Sequence, residues 1–251
     1  MKLGIVVLAT NAYFAMGIRF IKKFLYFYEG SAEIVFYFFS DENPKEYLPN
    51  NFPVEYFHSR HASWQDGTNS KFKNIVSLQD KNIDFLYYFD ADTNVDKSFT
   101  EQWFLGNLVG GEHFMNKDMS NKPYDNNLES SCFVDPKSNL ERIYYLGAFF
   151  GGKKETVITM CRELMSLQAK NKTINHEPIW NDESYLNYFF HFFPPYKIVL
   201  SKNFKFIISD KGHIQNSRDT NLDLTDLKIQ MKNHKNHIYD IYKNTLKIIN
   251  L

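Results

Sequence analysis

Two carboxylates stand one residue apart at Asp90-Ala91-Asp92, directly after the apolar run Phe85-Leu86-Tyr87-Tyr88-Phe89. Side chains alternate along an extended chain, so both carboxylates are expected on one side of it. Charges that close repel unless a cation lies between them. Hard oxygen donors suit Mg²⁺ or Mn²⁺, which also bridge a nucleotide diphosphate. A second constellation is Trp180-Asn181-Asp182-Glu183-Ser184-Tyr185-Leu186-Asn187-Tyr188. On a helix, Glu183 and Asn187 lie four apart on one face with Asp182 beside them. A carboxylate beside an amide fits a site that stabilises or attacks a cationic carbon. Acidic residues also favour a helix N-terminus, which by itself would explain the acidity but not the Trp or the Asn. The third is Tyr144-Tyr145-Leu146-Gly147-Ala148-Phe149-Phe150-Gly151-Gly152. Small residues between bulky ones let a ligand approach the backbone, and they equally suit a strand ending in a tight turn.

The elements that must hold these residues are legible as two alternating patterns. Apolar runs of strand length occur at 3–8, 33–39, 85–89, 143–150 and 197–200. Between them, segments 14–28, 70–78 and 155–167 carry apolar residues three and four apart. This predicts an α/β fold with a mostly parallel central sheet flanked by helices. Ligands of such sheets collect at the carboxyl ends of the strands, where the polar residues singled out above begin. With no repeat and no long linker, residues 1–251 are expected to form a single domain. The stretch 110–142 is polar with little periodicity, and the end of the chain after Asp226 reads as a helical tail.

Composition excludes several classes. Lys plus Arg and Asp plus Glu are both 29, so the zero net charge argues against a nucleic-acid partner. A hydrophobic fraction of 43% excludes disorder as the main state. Cys132 and Cys161 make neither a disulfide framework nor a metal spacing, which fits a reducing compartment. No apolar run approaches the ~18 residues of a membrane span. The first run lacks a cleavage site and is read as a buried strand, so the expected location is cytoplasmic, with no integral membrane segment. The 24 Phe and 16 Tyr are assigned first to core packing; the remainder could line a site for a base or a sugar face.

The three constellations, in this order and at these separations, resemble glycosyltransferase family 6, which includes the histo-blood-group A and B transferases and the α-1,3-galactosyltransferase. That family carries a Tyr-Tyr-x-Gly-Gly-Phe-Phe-Gly-Gly-like segment and then Trp-His-Asp-Glu-Ser-x-x-Asn, preceded in the animal enzymes by Asp-x-Asp. The match at 180–187 is the specific one, and weaker matches run from Leu3 to Asn233. The resemblance implies a GT-A-type, Rossmann-like fold. It also implies a retaining transferase that moves galactose or N-acetylgalactosamine from UDP to a hydroxyl of a β-galactoside-type glycan, in an α-1,3 linkage. Mn²⁺ is the implied cofactor, with Mg²⁺ possible. Glu183 would be the catalytic carboxylate. Ala9, Thr10 and Tyr13 would hold the uridine. Trp64, Asp66, Thr68 and Lys71 fall in a segment whose basic residue reaches the donor. Asp90 and Asp92 would bind metal and nucleotide. Gly147 and Ala148, with Leu146, would discriminate between sugars, and Asp182 would lie beside the transferred one. His113, Trp180 and Leu146 would face the acceptor, within an acceptor-side segment 110–142. Lys232 would clamp the diphosphate from a tail, 226–251, that closes on the donor.

Departures from the family pattern matter. Asn181 replaces a His, Ile238 stands where a tail arginine is expected, and 123–127 replaces a Thr-Tyr-Glu-Arg-Arg-like stretch. Most bacterial relatives carry Asn-x-Asn and need no metal, whereas both Asp are kept here. The anchor and stem of the animal enzymes are not expected. Ala148 has one methyl more than Gly, which leans the donor toward galactose. Two other readings stay open. One is a Mg²⁺-dependent phosphohydrolase on Asp90 and Asp92. Haloacid-dehalogenase-type phosphatases use Asp-x-Asp after a strand, but the first strand, with Thr or Val where Asn94 stands here. The other is a catalytically silent glycan- or UDP-binding module, suggested by the aromatic content and by Asn181 and Ile238.

Overall fold

The computed structural model describes residues 1–113, 124–135, 143–193 and 195, with the backbone of 197–200. In chain order these form β1 (Lys2–Leu8), α1 (Phe14–Phe27), β2 (Glu33–Ser40), β3 (Val54–His58), α2 (Trp64–Val76) and β4 (Phe85–Asp90). Then come β5 (Leu108–Glu112), β6 (Tyr145–Lys153), α3 (Lys154–Thr173), α4 (Asp182–Phe192) and β7 (Lys197–Leu200). The strands make one sheet in the order β3-β2-β1-β4-β6-β5-β7. Only β6 runs against its neighbours; every other pairing is parallel. The expected mostly parallel sheet with flanking helices is therefore the architecture observed.

Strand alternation divides the apolar residues between two faces. Leu3, Ile5 and Val7 of β1, with Phe36, Phe38 and Phe89 from its neighbours, pack against Ile18, Phe20, Ile21 and Phe24 of α1. Tyr37, Phe39, Leu86, Tyr88 and Phe150 face the other way, against Phe72 of α2, Cys161 of α3 and Leu186 and Phe190 of α4. The aromatic surplus is largely spent here. The Phe24 ring, for example, meets Phe36, Phe89 and Phe99 edge-on at 5.5, 5.9 and 4.9 Å. Edge-to-face pairs of this kind add to simple area burial.

Three differences from the sequence expectation have local causes. Helix α2 starts at Trp64 rather than near Ser70, because Ser63 and Asp66 cap each other. Ser63 Oγ accepts from the Asp66 N–H at 3.1 Å and donates to Asp66 Oδ2 at 2.8 Å. β5 occupies the start of the stretch read as non-periodic, its Leu-Val-Gly-Gly-Glu sequence being too poor in apolar residues to announce a strand. The edge strand β3 is also new, its short Val-Glu-Tyr-Phe-His sequence being mixed and only partly buried, without a continuous apolar run. Among the described residues, no helix is long and apolar enough to cross a membrane.

Two registers place the functional residues. Leu8 pairs with Asp90, so Ala9 and Asp90 meet at the carboxyl ends of β1 and β4. The β4–β6 pairing ends at Phe89 opposite Phe149, whereas β6 begins at Tyr145. One edge of β6 therefore runs on after β4 has left it.

Candidate active site

Lys71, on α2 and 4% exposed, is the centre of a buried charge cluster. Its Nζ lies 2.6 Å from Asp182 Oδ2, 3.4 Å from Asp90 Oδ1 and 3.1 Å from the Gly147 carbonyl oxygen. The same ammonium sits 4.7 Å over the Tyr88 ring, whose hydroxyl donates to Asp90 Oδ1 at 2.7 Å. Glu183, next to Asp182 in the first turn of α4, accepts from the Gly147 N–H through Oε2 at 2.7 Å. The Tyr144 hydroxyl faces the same carboxylate and favours its charged form.

Gly147 is required by this closeness rather than by its backbone angles. A Cβ there would lie 2.9 Å from Asp182 Oδ2 and 3.2 Å from Glu183 Cβ. The helix can bring two carboxylates onto the strand only where the strand has no side chain. Immediately before them, Asn181 has φ 46° and ψ −122°, a conformation that L side chains rarely adopt. Its Oδ1 is buried with no hydrogen-bond partner among the described residues. The first turn is tied down by Ser184, whose Oγ accepts from the Trp180 N–H at 3.1 Å.

The electrostatics follow from one cation facing three acids. Burial pushes Glu183 up to about 7; the Gly147 N–H opposes this and the neighbouring Asp182 adds to it. Burial also raises Asp182, to about 6, against the pull of Lys71. For Lys71 burial works toward neutrality, but Asp182 and Asp90 override it and hold the ammonium above its ordinary range. His113 is buried and its imidazole is pushed down to about 4, so it is neutral near pH 7. Its backbone N–H donates to Tyr144 C=O at 2.8 Å, and its ring stands edge-on to Tyr144 at 5.5 Å.

The remaining expected residues are placed unevenly. Ala9 is fully buried at the end of β1, its carbonyl accepting from Ser40 Oγ at 2.6 Å. Thr10 and the half-buried Tyr13 follow it in the turn into α1. Asp92 lies two residues past the end of β4, in a turn closed by the Thr93 N–H on Asp90 C=O at 3.0 Å. The extended chain expected through Asp90 and Asp92 is thus a turn, and strand alternation does not set their relation. Leu146 and Ala148 belong to the α1 face of β6, opposite the face on which Gly147 meets the carboxylates. Leu146, expected near the acceptor, is packed in that core. Trp180 and Trp64 are exposed at the starts of α4 and α2. Asp66, the third residue of α2, is tied to the capping Ser63, and Thr68 Oγ1 donates back to the Gln65 carbonyl. Lys232 and the tail 226–251 lie outside the described residues, as does much of 110–142.

Two features of this region were not anticipated. Tyr88 shares a strand face with Asp90 at period two, a signal available in the sequence. Asp125, in the stretch expected beside the acceptor, is buried and paired through Oδ2 with His176 Nε2 at 2.7 Å. Ser130, Cys132, Asn171 and Tyr185 complete that second polar cluster. No sequence spacing signals a contact between residues 51 apart.

The glycosyltransferase family 6 profile matches residues 1–237. The chain belongs to glycosyltransferase family 6. Among relatives of this family-6 chain is the globoside alpha-1,3-N-acetylgalactosaminyltransferase 1 of Gallus gallus. It is 24% identical over 79% of this chain and 60% of its own length. The Mus musculus protein of the same name is 30% identical over 51% of this chain and 36% of its own length. The O-antigen biosynthesis glycosyltransferase WbnI of Escherichia coli is 24% identical over 64% of this chain and 69% of its own length. The chain thus spans about three-fifths of the chicken relative it matches.

Proposed function

We propose that this family-6 chain transfers galactose or N-acetylgalactosamine from a UDP donor to a glycan hydroxyl, with retention and in an α-1,3 linkage. The observation that carries the reading is the pair Asp182–Glu183, pressed onto Gly147 with Asp182 ion-paired to Lys71, at the carboxyl end of the sheet. Donor binding at that end is the general behaviour of such sheets. In the reaction the bond from the anomeric carbon to the diphosphate breaks and its electron pair leaves with UDP. The acceptor oxygen bonds to that carbon, and its proton passes to the departing diphosphate.

Each residue has a physical task in this scheme. Ionised Glu183 lends negative charge to the cationic carbon in a site where low local polarity strengthens it. The Gly147 N–H fixes its position. Asp182, held by Lys71, would stand beside the transferred sugar. Ala9, Thr10 and Tyr13, in the turn after β1, would hold the uridine. Trp180, exposed at the helix start, offers an aromatic face to the acceptor.

Asp90 and Asp92 fit a divalent ion of the Mn²⁺ or Mg²⁺ kind. Such ions rest on one or two carboxylates, with phosphates and waters completing the shell. Tyr88 and Lys71 both approach Oδ1 of Asp90, and among the described residues no three His, Cys, Asp or Glu side chains form a metal cluster. A site of two carboxylates completed by the substrate diphosphate matches that donor set. When bound there, the ion would act as a Lewis acid on the departing diphosphate.

The decisive experiment is release of UDP from UDP-galactose and UDP-N-acetylgalactosamine, with Mn²⁺ and with chelator, for the parent and Glu183→Gln. Metal-dependent release that falls on the order of 100-fold in the variant is expected. UDP binding with no release, with or without a β-galactoside acceptor, would instead identify a silent binding module.

A further inference from the structure

Tyr145 and Gly147 present their peptide groups to the same edge of β6, since strand residues two apart face alike. β4 has already left that edge, its pairing ending at Phe89 and Phe149. Side chains take its place. The Asn187 carboxamide accepts from the Tyr145 N–H through Oδ1 at 2.7 Å and donates to the Tyr145 C=O through Nδ2 at 2.8 Å. This double exchange is the one an antiparallel strand neighbour would make. At Gly147 the same two peptide groups are met by Glu183 Oε2 and Lys71 Nζ. Asn187 Nδ2 also donates to the Glu183 backbone carbonyl at 2.9 Å. The side chain is buried, with 1% of the residue exposed, so water offers no alternative partners.

We propose that Asn187 is a positioning residue for Glu183: it replaces the missing strand along β6 and thereby sets where the carboxylate stands. One helical turn joins the two residues, so the register of Asn187 on Tyr145 dictates the register of Glu183 on Gly147. Only a carboxamide supplies a donor and an acceptor at this length. An apolar residue leaves both Tyr145 groups unpaired, and an ionised Asp opposes two carbonyls. The inference rests on the reading of Glu183 as the working carboxylate.

The test is UDP release and UDP affinity for Asn187→Ala and Asn187→Asp, each in the parent and in the Glu183→Gln background. Displacement of a reacting group by an ångström typically costs on the order of 100-fold. A kcat loss of about that size is expected in the parent, with donor KM and UDP affinity nearly unchanged. In the Glu183→Gln background the same substitution should change kcat by less than about threefold, because residues acting as a unit are not additive. Asn187→Asp, nearly isosteric, serves if the Ala variant does not fold. Parent-like kcat, equal losses in both backgrounds, or a loss carried by UDP affinity would each overturn the proposal. Full activity in Glu183→Gln alone would overturn the underlying reading of the carboxylate.

Discussion

Two buried clusters in this molecule set a carboxylate against a basic side chain, and they behave in opposite ways. At Asp125 every demand is met: His176 donates at 2.7 Å, the Asn127 N–H lies at 3.3 Å, and Ser130 and Asn171 close the ring. Burial would raise the Asp125 carboxyl, but these bonds outweigh it and hold the group below its ordinary range. Around Lys71 the count is reversed. One ammonium serves Asp182 and Asp90 while Glu183 has the Gly147 N–H, and burial raises Asp182 and Glu183. A saturated cluster fastens segment 124–135 to the end of α3. An undersupplied one keeps charge available for a substrate, and perturbed titration of that kind gathers at functional sites.

The largest difference should appear in catalysis. Glu183→Gln is expected to lower UDP release on the order of 100-fold with the fold intact. Asp125→Asn should leave kcat within a few-fold and instead lower the melting temperature, since a buried hydrogen-bond network loses about 1–3 kcal/mol when a partner is changed. Equal activity losses in the two variants would erase the distinction. Next in size is Lys71→Met. Removing the partner of the buried Asp182 carboxylate costs about 3–5 kcal/mol, so chemical denaturation should show a loss of that order. Lys71→Arg, longer and planar, should recover only part of it. A Met variant as stable as the parent would mean that Asp182 is not ionised against Lys71.

Much of this contrast rests on elements that were legible in the sequence. β1, β2, β4 and α1 lie within a residue or two of their apolar patterns, since buried parallel strands are nearly continuous hydrophobic runs. Short motifs likewise marked Asp90, Asp182 and Glu183 as candidates. What could not be read was the tertiary use of each polar group. Asn187 looked like the amide partner of Glu183 in the chemistry, yet its carboxamide is engaged by Tyr145. Lys71, expected to reach the donor, is the counter-ion of two carboxylates; Asp125, expected beside the acceptor, is buried in a structural pair. Strand β5 was hidden by glycines, and the start of α2 by polar residues, although the Ser63–Asp66 spacing is a capping signal.

pH should separate the two clusters by sign. Glu183 has a folded value near 7 against an ordinary 4.5, so folding takes up a proton between those values and stability falls as pH rises through that window. Glu183→Gln should therefore melt higher than the parent at pH 8, with the advantage gone at pH 4. Activity should move the other way, rising toward its plateau as the carboxyl ionises near pH 7. Asp125, held below its ordinary 3.8, contributes stability that is complete above that value and lost only as pH falls through its lower folded one. Asp125→Asn should accordingly be destabilised at pH 7 and converge on the parent in strong acid. Parallel melting curves for the two variants across pH would contradict the comparison.

The smallest effect concerns the far side of β6, and it tests whether the undersupplied cluster alone governs the donor. Ala148 sits on the α1 face, partly buried against the core, while Gly147 meets the carboxylates on the other. Removing one methyl opens space without touching a charge, and differences of methylene size are worth about 1–3 kcal/mol, or roughly 10–200-fold. If the wall at 148 crowds an N-acetyl group, Ala148→Gly should raise the ratio of UDP-N-acetylgalactosamine to UDP-galactose turnover toward the low end of that range. The acid limb near pH 7 should stay in place, because the charge cluster is unchanged. A shift in the limb without a shift in the ratio would place Ala148 in the support of Glu183 rather than in the choice of sugar.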